Sequence, residues 1–147
     1  MQMIDAWSRL NLSCRISLIS LKFTFELTDM DNGKVLVYLK NKIPVVDVYH
    51  HGEINIQDIS WIHQCILNLH VDMPCDVIID RTGSYSLTPD AILALRDVFR
   101  DHKKVAYVIH HPVQEHAVKY ARESYLNSND VMQFQTLIEA CEWMEGN

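Results

Sequence analysis

A chain of 147 residues is the size of one domain and long enough to bury a core without disulfides or metals. Its 48% hydrophobic and 22% charged residues are those of an ordinary soluble globular protein. The formal net charge of −6 leaves no basic surplus to displace counterions from phosphate, and among the lysines and arginines only Lys103 and Lys104 are adjacent. Nucleic acid and anionic membrane are thereby excluded as general partners.

The first thirty residues read as an N-terminal extension. "MIDAWSRL" (3–10) suits a short helix, and "ISLKFTFELT" (19–28) alternates as an extra strand would. The apolar run "LSCRISLISL" (12–21) is interrupted by Arg15 and lacks a small-residue cleavage site. It is too short for a membrane span and poor as a signal peptide. Cysteines stand at 14, 65, 75 and 141 with no C-x-x-C pair, and Cys65 and Cys141 fall in apolar helical patterns. The expectation is a reduced, cytoplasmic protein without cofactor.

From residue 31 onward a regular domain is predicted. "KVLVYLK" (34–40) and "IPVVDVYHHG" (43–52) form an antiparallel hairpin across Asn41-Lys42. Residues 55–70 form a helix with Asn55 as cap, Asp58 reaching back to it, and Ile59, Ile62, Ile66 and Leu69 inward. "CDVIID" (75–80) reads as a strand buried on both faces. A helix over 89–102 follows, capped by Thr88 with Pro89 at its first position and Ile92, Leu95, Val98 and Phe99 inward. "KVAYVIHH" (104–111) is the next strand, and Pro112 opens the next helix. "VMQF" (131–134) is a last strand. Thr136 and Glu139 make a capping box for a final helix that Gly146 stops. This order specifies an α/β domain, a mostly parallel sheet of about five strands with an N-terminal antiparallel hairpin strand and four crossover helices. Ligand sites of such sheets lie at the C-terminal strand edge.

At that edge two groups of residues attract chemistry. "DRTGSYS" (80–86) offers Asp80, Arg81, Thr82, Ser84, Tyr85 and Ser86 before the Thr88 cap, with Gly83 supplying a turn conformation. A phosphate on Ser84 or Ser86 would face the following helix's N-terminus, with Arg81 adding a charge-assisted bond. The pairs His50, His51 and His110, His111 end two strands near Asp80 and could hold zinc or a related metal. Strand alternation lets at most one histidine of each pair reach a common centre, and zinc-motif spacing is absent. His63 and His70 are expected on the polar flank of the first helix. Asp80 lacks the second acid pair that Mg²⁺ chemistry needs, because Asp47 sits inside its strand. No G-x-S-x-G elbow, P-loop or dinucleotide fingerprint occurs, and a conventional enzyme is not expected. Trp61 lies off its helix's apolar stripe, where it would cover a surface patch or a dimer contact.

The element order, with "DVIIDRTG", "KKVAYVIHH" and the closing "MQFQTLIEACEWM", resembles the SpoIIAA-like superfamily over residues 34 to 145. That group includes the STAS domains of anti-sigma factor antagonists and small STAS/SEC14-like bacterial proteins. The resemblance implies a non-enzymatic regulatory or protein-binding module acting on a protein partner or on itself as a homodimer. The alternative it implies is a carrier of a small apolar ligand or lipid. Its phosphoacceptor motif D-S-S-G is absent here: the matching positions read Asp80-Arg81-Thr82-Gly83-Ser84-Tyr85-Ser86.

Overall fold

The computed structural model describes residues 29–146. The extra strand and short helix expected within 1–28 lie outside the described residues. Eight strands and four α-helices follow: β1 Met30–Asp31, β2 Val35–Lys40, β3 Ile43–Val48, β4 Glu53–Ile54, α1 Ile56–Asn68, β5 Cys75–Asp80, β6 Ser86–Leu87, α2 Pro89–Val98, β7 His102–Val108, α3 Gln114–Glu123, β8 Asp130–Phe134 and α4 Leu137–Glu145. A 3₁₀ turn, Phe99–Asp101, ends α2 one residue before β7, so the helix is shorter than its apolar pattern predicts.

Six strands form one sheet in the order β1-β2-β3-β5-β7-β8. The first two pairings are antiparallel and the last three parallel. The hairpin turns at Asn41 and Lys42, both left-handed at φ 53° and 68°, the two-residue geometry that matches strand twist. Alternation then sorts the core. Val46, Val48, Val77, Ile79, Val105 and Tyr107 face α1, α2 and α3, while Val45, Ile78, Ala106 and Val108 face α4. Three helices are crossovers on one face, and α4 closes the other.

The caps explain the helix starts. Asn55 accepts from Asp58 N–H, and Asp58 accepts from Asn55 N–H at 2.9 Å. Asp58 is buried there and paired with Lys34 at 2.9 Å, which ties α1 to the turn before β2. Thr88 caps α2, and Thr136 with Glu139 boxes α4. Pro112 precedes α3 rather than opening it, for Val113 is the cap residue. His70 sits beyond the end of α1 at φ 58°, and His63 is partly buried with its Nδ1 unpartnered. Neither therefore lies on a polar flank of that helix as expected. Trp61 packs partly buried against the main core instead of covering a surface patch.

Candidate functional site

Parallel register brings the C-terminal ends of β3, β5, β7 and β8 to one edge: Asp47 pairs with Asp80, Asp80 with Val108, and Val108 with Phe134. A short parallel ribbon, β4 with β6, crosses above it and ties the segment after β5 to the segment after β3. The connection after β5 is therefore built rather than loose. Arg81 N–H donates to Val108 O at 2.9 Å, Gly83 N–H to Val48 O at 2.8 Å, and Ser84 N–H to His51 Nδ1 at 3.1 Å. Ser86 N–H donates to Gly52 O and Thr88 N–H to Ile54 O, both at 3.1 Å.

Gly83 serves this geometry through space, not through a left-handed backbone, which corrects the turn reading. Only Gly33 among the described glycines has positive φ. A β-carbon on Gly83 would lie 2.3 Å from His50 O and 2.5 Å from Tyr49 C.

Alternation splits the charged residues between two faces. Asp80 turns toward the α4 face, where His110 Nε2 lies 2.7 Å from its carboxylate. Asp47 stands beside it, and the Thr82 hydroxyl donates to Asp47. Burial pushes the Asp47 carboxyl up, with the Asp80 charge adding to the rise and the Thr82 hydrogen bond opposing it. Tyr38 on the same face is pushed up to about 12 by burial and by the Asp47 and Asp80 charges. The adjacency of Asp47 and Asp80 escaped the sequence reading, which took Asp47 as an interior strand residue. Only the β3–β5 register reveals it.

Arg81 turns the other way, onto the α1–α3 face. It is 7% exposed, its Nε has no partner, and its guanidinium carbon lies 4.0 Å above the Tyr85 ring. Gln114 holds both halves of the edge, accepting from His110 N–H at 2.7 Å and donating to Arg81 O at 3.1 Å. Of the expected regulatory residues, Thr82, Ser84 and Ser86 are exposed, whereas Asp80 and Arg81 are buried. Tyr85 packs against the core.

The four histidines do not converge. His110 meets Asp80, His51 meets the Ser84 backbone, and His50 lies against Gly52. His111 lines the cleft beside Gln114, a wall it shares with His51 alone of the other three. Among the described residues no group of three His, Cys, Asp or Glu side chains is placed to hold a metal.

Nucleophilic chemistry finds little support either. No hydroxyl or thiol among the described residues bonds to the His110 ring, so Asp80–His110 is not continued into a triad. Cys75 and His102 do touch, Sγ to Nδ1 at 3.4 Å. Burial pushes that thiol up to about 11 and holds His102 below its usual range, so neither thiolate nor imidazolium forms readily near neutrality.

An apolar cavity of 50 Å³ lies between helices and sheet, with Ile62, Leu95, Tyr85 and His102 in its wall. Outside it, Tyr85 also borders two adjoining surface clefts, of 350 and 150 Å³. No helix of the described residues is long and apolar enough to cross a membrane.

No protein-family model matches the chain, and no curated protein is significantly similar to it. The structure is similar to the crystal structure of an uncharacterised protein of the DUF3478 family, with a SpoIIAA-like fold, from Shewanella loihica PV-4. The TM-score is 0.56 at 13% identity, covering 78% of this chain and 98% of that one. With six strands in this order, antiparallel at the β1–β3 side and parallel beyond, the chain has a SpoIIAA-like α/β fold.

Proposed function

We propose that the protein is a non-enzymatic recognition module whose binding surface is the C-terminal sheet edge around residues 81–88. One observation carries this reading: the backbone from Arg81 to Thr88 is pinned by hydrogen bonds to Val108, Val48, His51, Gly52 and Ile54, while Thr82, Ser84 and Ser86 remain exposed. A surface already ordered before contact loses little conformational entropy on binding, which is how a small polar patch acquires affinity. The neutral Cys75 thiol and the unextended Asp80–His110 pair weigh against covalent catalysis.

The rival reading is a carrier of a small apolar ligand. The cavity between helices and sheet that would lodge it holds 50 Å³, against roughly 300–1,000 Å³ for a ligand pocket. A carrier would have to part α1 and α2 from the sheet.

The test captures partners by crosslinking in the source cells, comparing wild type with the Ser84→Arg, Ser86→Arg double variant. The module reading expects a stoichiometric protein partner lost in the variant, at unchanged melting temperature. A partner retained by the variant, or lipid copurifying with wild type in native mass spectrometry, would overturn it.

A further inference from the structure

Among the described residues Arg81 has no charged partner. Its side chain lies in the protein, yet the ion pairs among the described residues join Lys34 to Asp58, Arg100 to Asp97 and His110 to Asp80. Asp80, next to it in sequence, faces the opposite side of the sheet and is committed to His110. A guanidinium removed from water without a carboxylate is costly unless something supplies the missing charge. The Tyr85 ring offers a cation–π contact but no anion.

The surroundings indicate what is missing. Arg81 lines both surface clefts. The larger, of 350 Å³, is walled by His51, Ser84, Ser86, His111 and the first turn of α3, with no carboxylate in its lining. Hydroxyls, imidazoles and the positive end of a helix dipole all suit an oxyanion. The smaller, of 150 Å³, runs from Arg81 along Leu87, Ile92, Tyr120 and Tyr125 between α2 and α3. A chamber edged by hydroxyls and imidazoles and a more apolar one thus meet at a guanidinium without a charged partner among the described residues.

We infer that this double cleft binds a small organic anion, with its phosphate or carboxylate head on Arg81 in the polar chamber and an aromatic or short aliphatic body against Tyr120 and Tyr125. The inference rests on reading this edge as a recognition surface and names its ligand class. Arg81 provides the planar two-pronged donor that both oxyanions fit. Occupancy would alter the cleft wall that Ser84 and Ser86 share with the exposed surface, so the anion and a protein partner would meet at the same segment.

Isothermal titration at matched ionic strength, with phenyl phosphate, phenylacetate, inorganic phosphate and benzyl alcohol, tests this without any protein partner. Saturable binding is expected for phenyl phosphate or phenylacetate, at least tenfold tighter than for inorganic phosphate, with none for benzyl alcohol. Which head group binds separates a phosphate ligand from a carboxylate one. Arg81→Met should abolish binding while raising the melting temperature of the free protein, because an uncompensated buried charge is gone. Should that variant fold poorly, Val113→Asp supplies the second arm. Val113 is 68% exposed, lines the polar chamber and caps α3 without a side-chain bond. An aspartate there would place a carboxylate in the anion's chamber, so binding should fall at least tenfold. No saturable binding of either aromatic anion, or equal binding by wild type and Val113→Asp, overturns the inference. Such a result leaves the crosslinking comparison standing, since that experiment involves no small anion.

Discussion

Replacing Gly83 by alanine puts the architecture of the edge to a quantitative test. The new methyl would sit 2.3 Å from His50 O, 2.5 Å from Tyr49 C and 2.6 Å from Tyr49 O, all backbone atoms that no rotamer change can remove. The segment must withdraw from the end of β3, which strains or breaks the Gly83 N–H bond to Val48 O. Overpacking of this kind costs about 1–3 kcal/mol, and each lost backbone hydrogen bond about 1 kcal/mol more. The expected loss is about 2–4 kcal/mol of a total near 5–15 kcal/mol. Urea unfolding followed by far-ultraviolet circular dichroism measures it. Gly33→Ala is the contrast: a β-carbon there meets nothing within 4 Å, and only its φ of 91° is unfavourable, worth about 1–2 kcal/mol. A Gly83→Ala loss below about 1 kcal/mol, or one equal to that of Gly33→Ala, would refute the close docking of 81–84 on β3.

Lys42→Gly should stabilise by about 0.5 kcal/mol or more in the same assay, because lysine at φ 68° pays a steric cost that glycine avoids. On α4, Met144→Ala should cost about 2–4 kcal/mol and Trp143→Ala about 1–2, since Met144 is buried whereas the Trp143 ring is only partly buried, lying against Phe134 and Lys104; equal losses would mean a different helix register. Asp47 holds its proton more tightly when folded than unfolded, so the stability tied to that proton is present below about pH 4 and lost as pH rises through the raised folded value. Asp47→Asn should therefore be more stable than wild type near neutrality and indistinguishable from it in acid; a variant that is less stable near neutrality would contradict the raised Asp47 carboxyl.

Patterns that depend on near neighbours were legible in the chain. The Asn41-Lys42 hairpin turn, the Asn55–Asp58 and Thr136–Glu139 capping boxes and the "CDVIID" strand each use residues within five positions of one another, and all four form. The mostly parallel α/β topology followed from the order of elements, and the SpoIIAA-like fold from the resemblance carried by that order and the closing "MQFQTLIEACEWM". The site was only half legible because its meaning lies in register and alternation. That Asp80 ends a strand is visible, but not that it abuts Asp47 or that Arg81 turns to the other face. The β4–β6 ribbon has two residues a side and no pattern long enough to read. It converts an apparent polar loop into an ordered surface. The histidine pairs assemble no metal site among the described residues: His110 is taken up by Asp80 and His51 by the Ser84 backbone.

Hydrogen exchange on the captured partner complex tests the central claim most directly. Binding at the C-terminal edge predicts added amide protection in residues 81–88 and 49–54, with the antiparallel edge at β1 and β2 and the outer face of α4 unchanged. Protection confined to α4 or to the β1–β2 edge, with residues 81–88 exchanging as in the free protein, would contradict it.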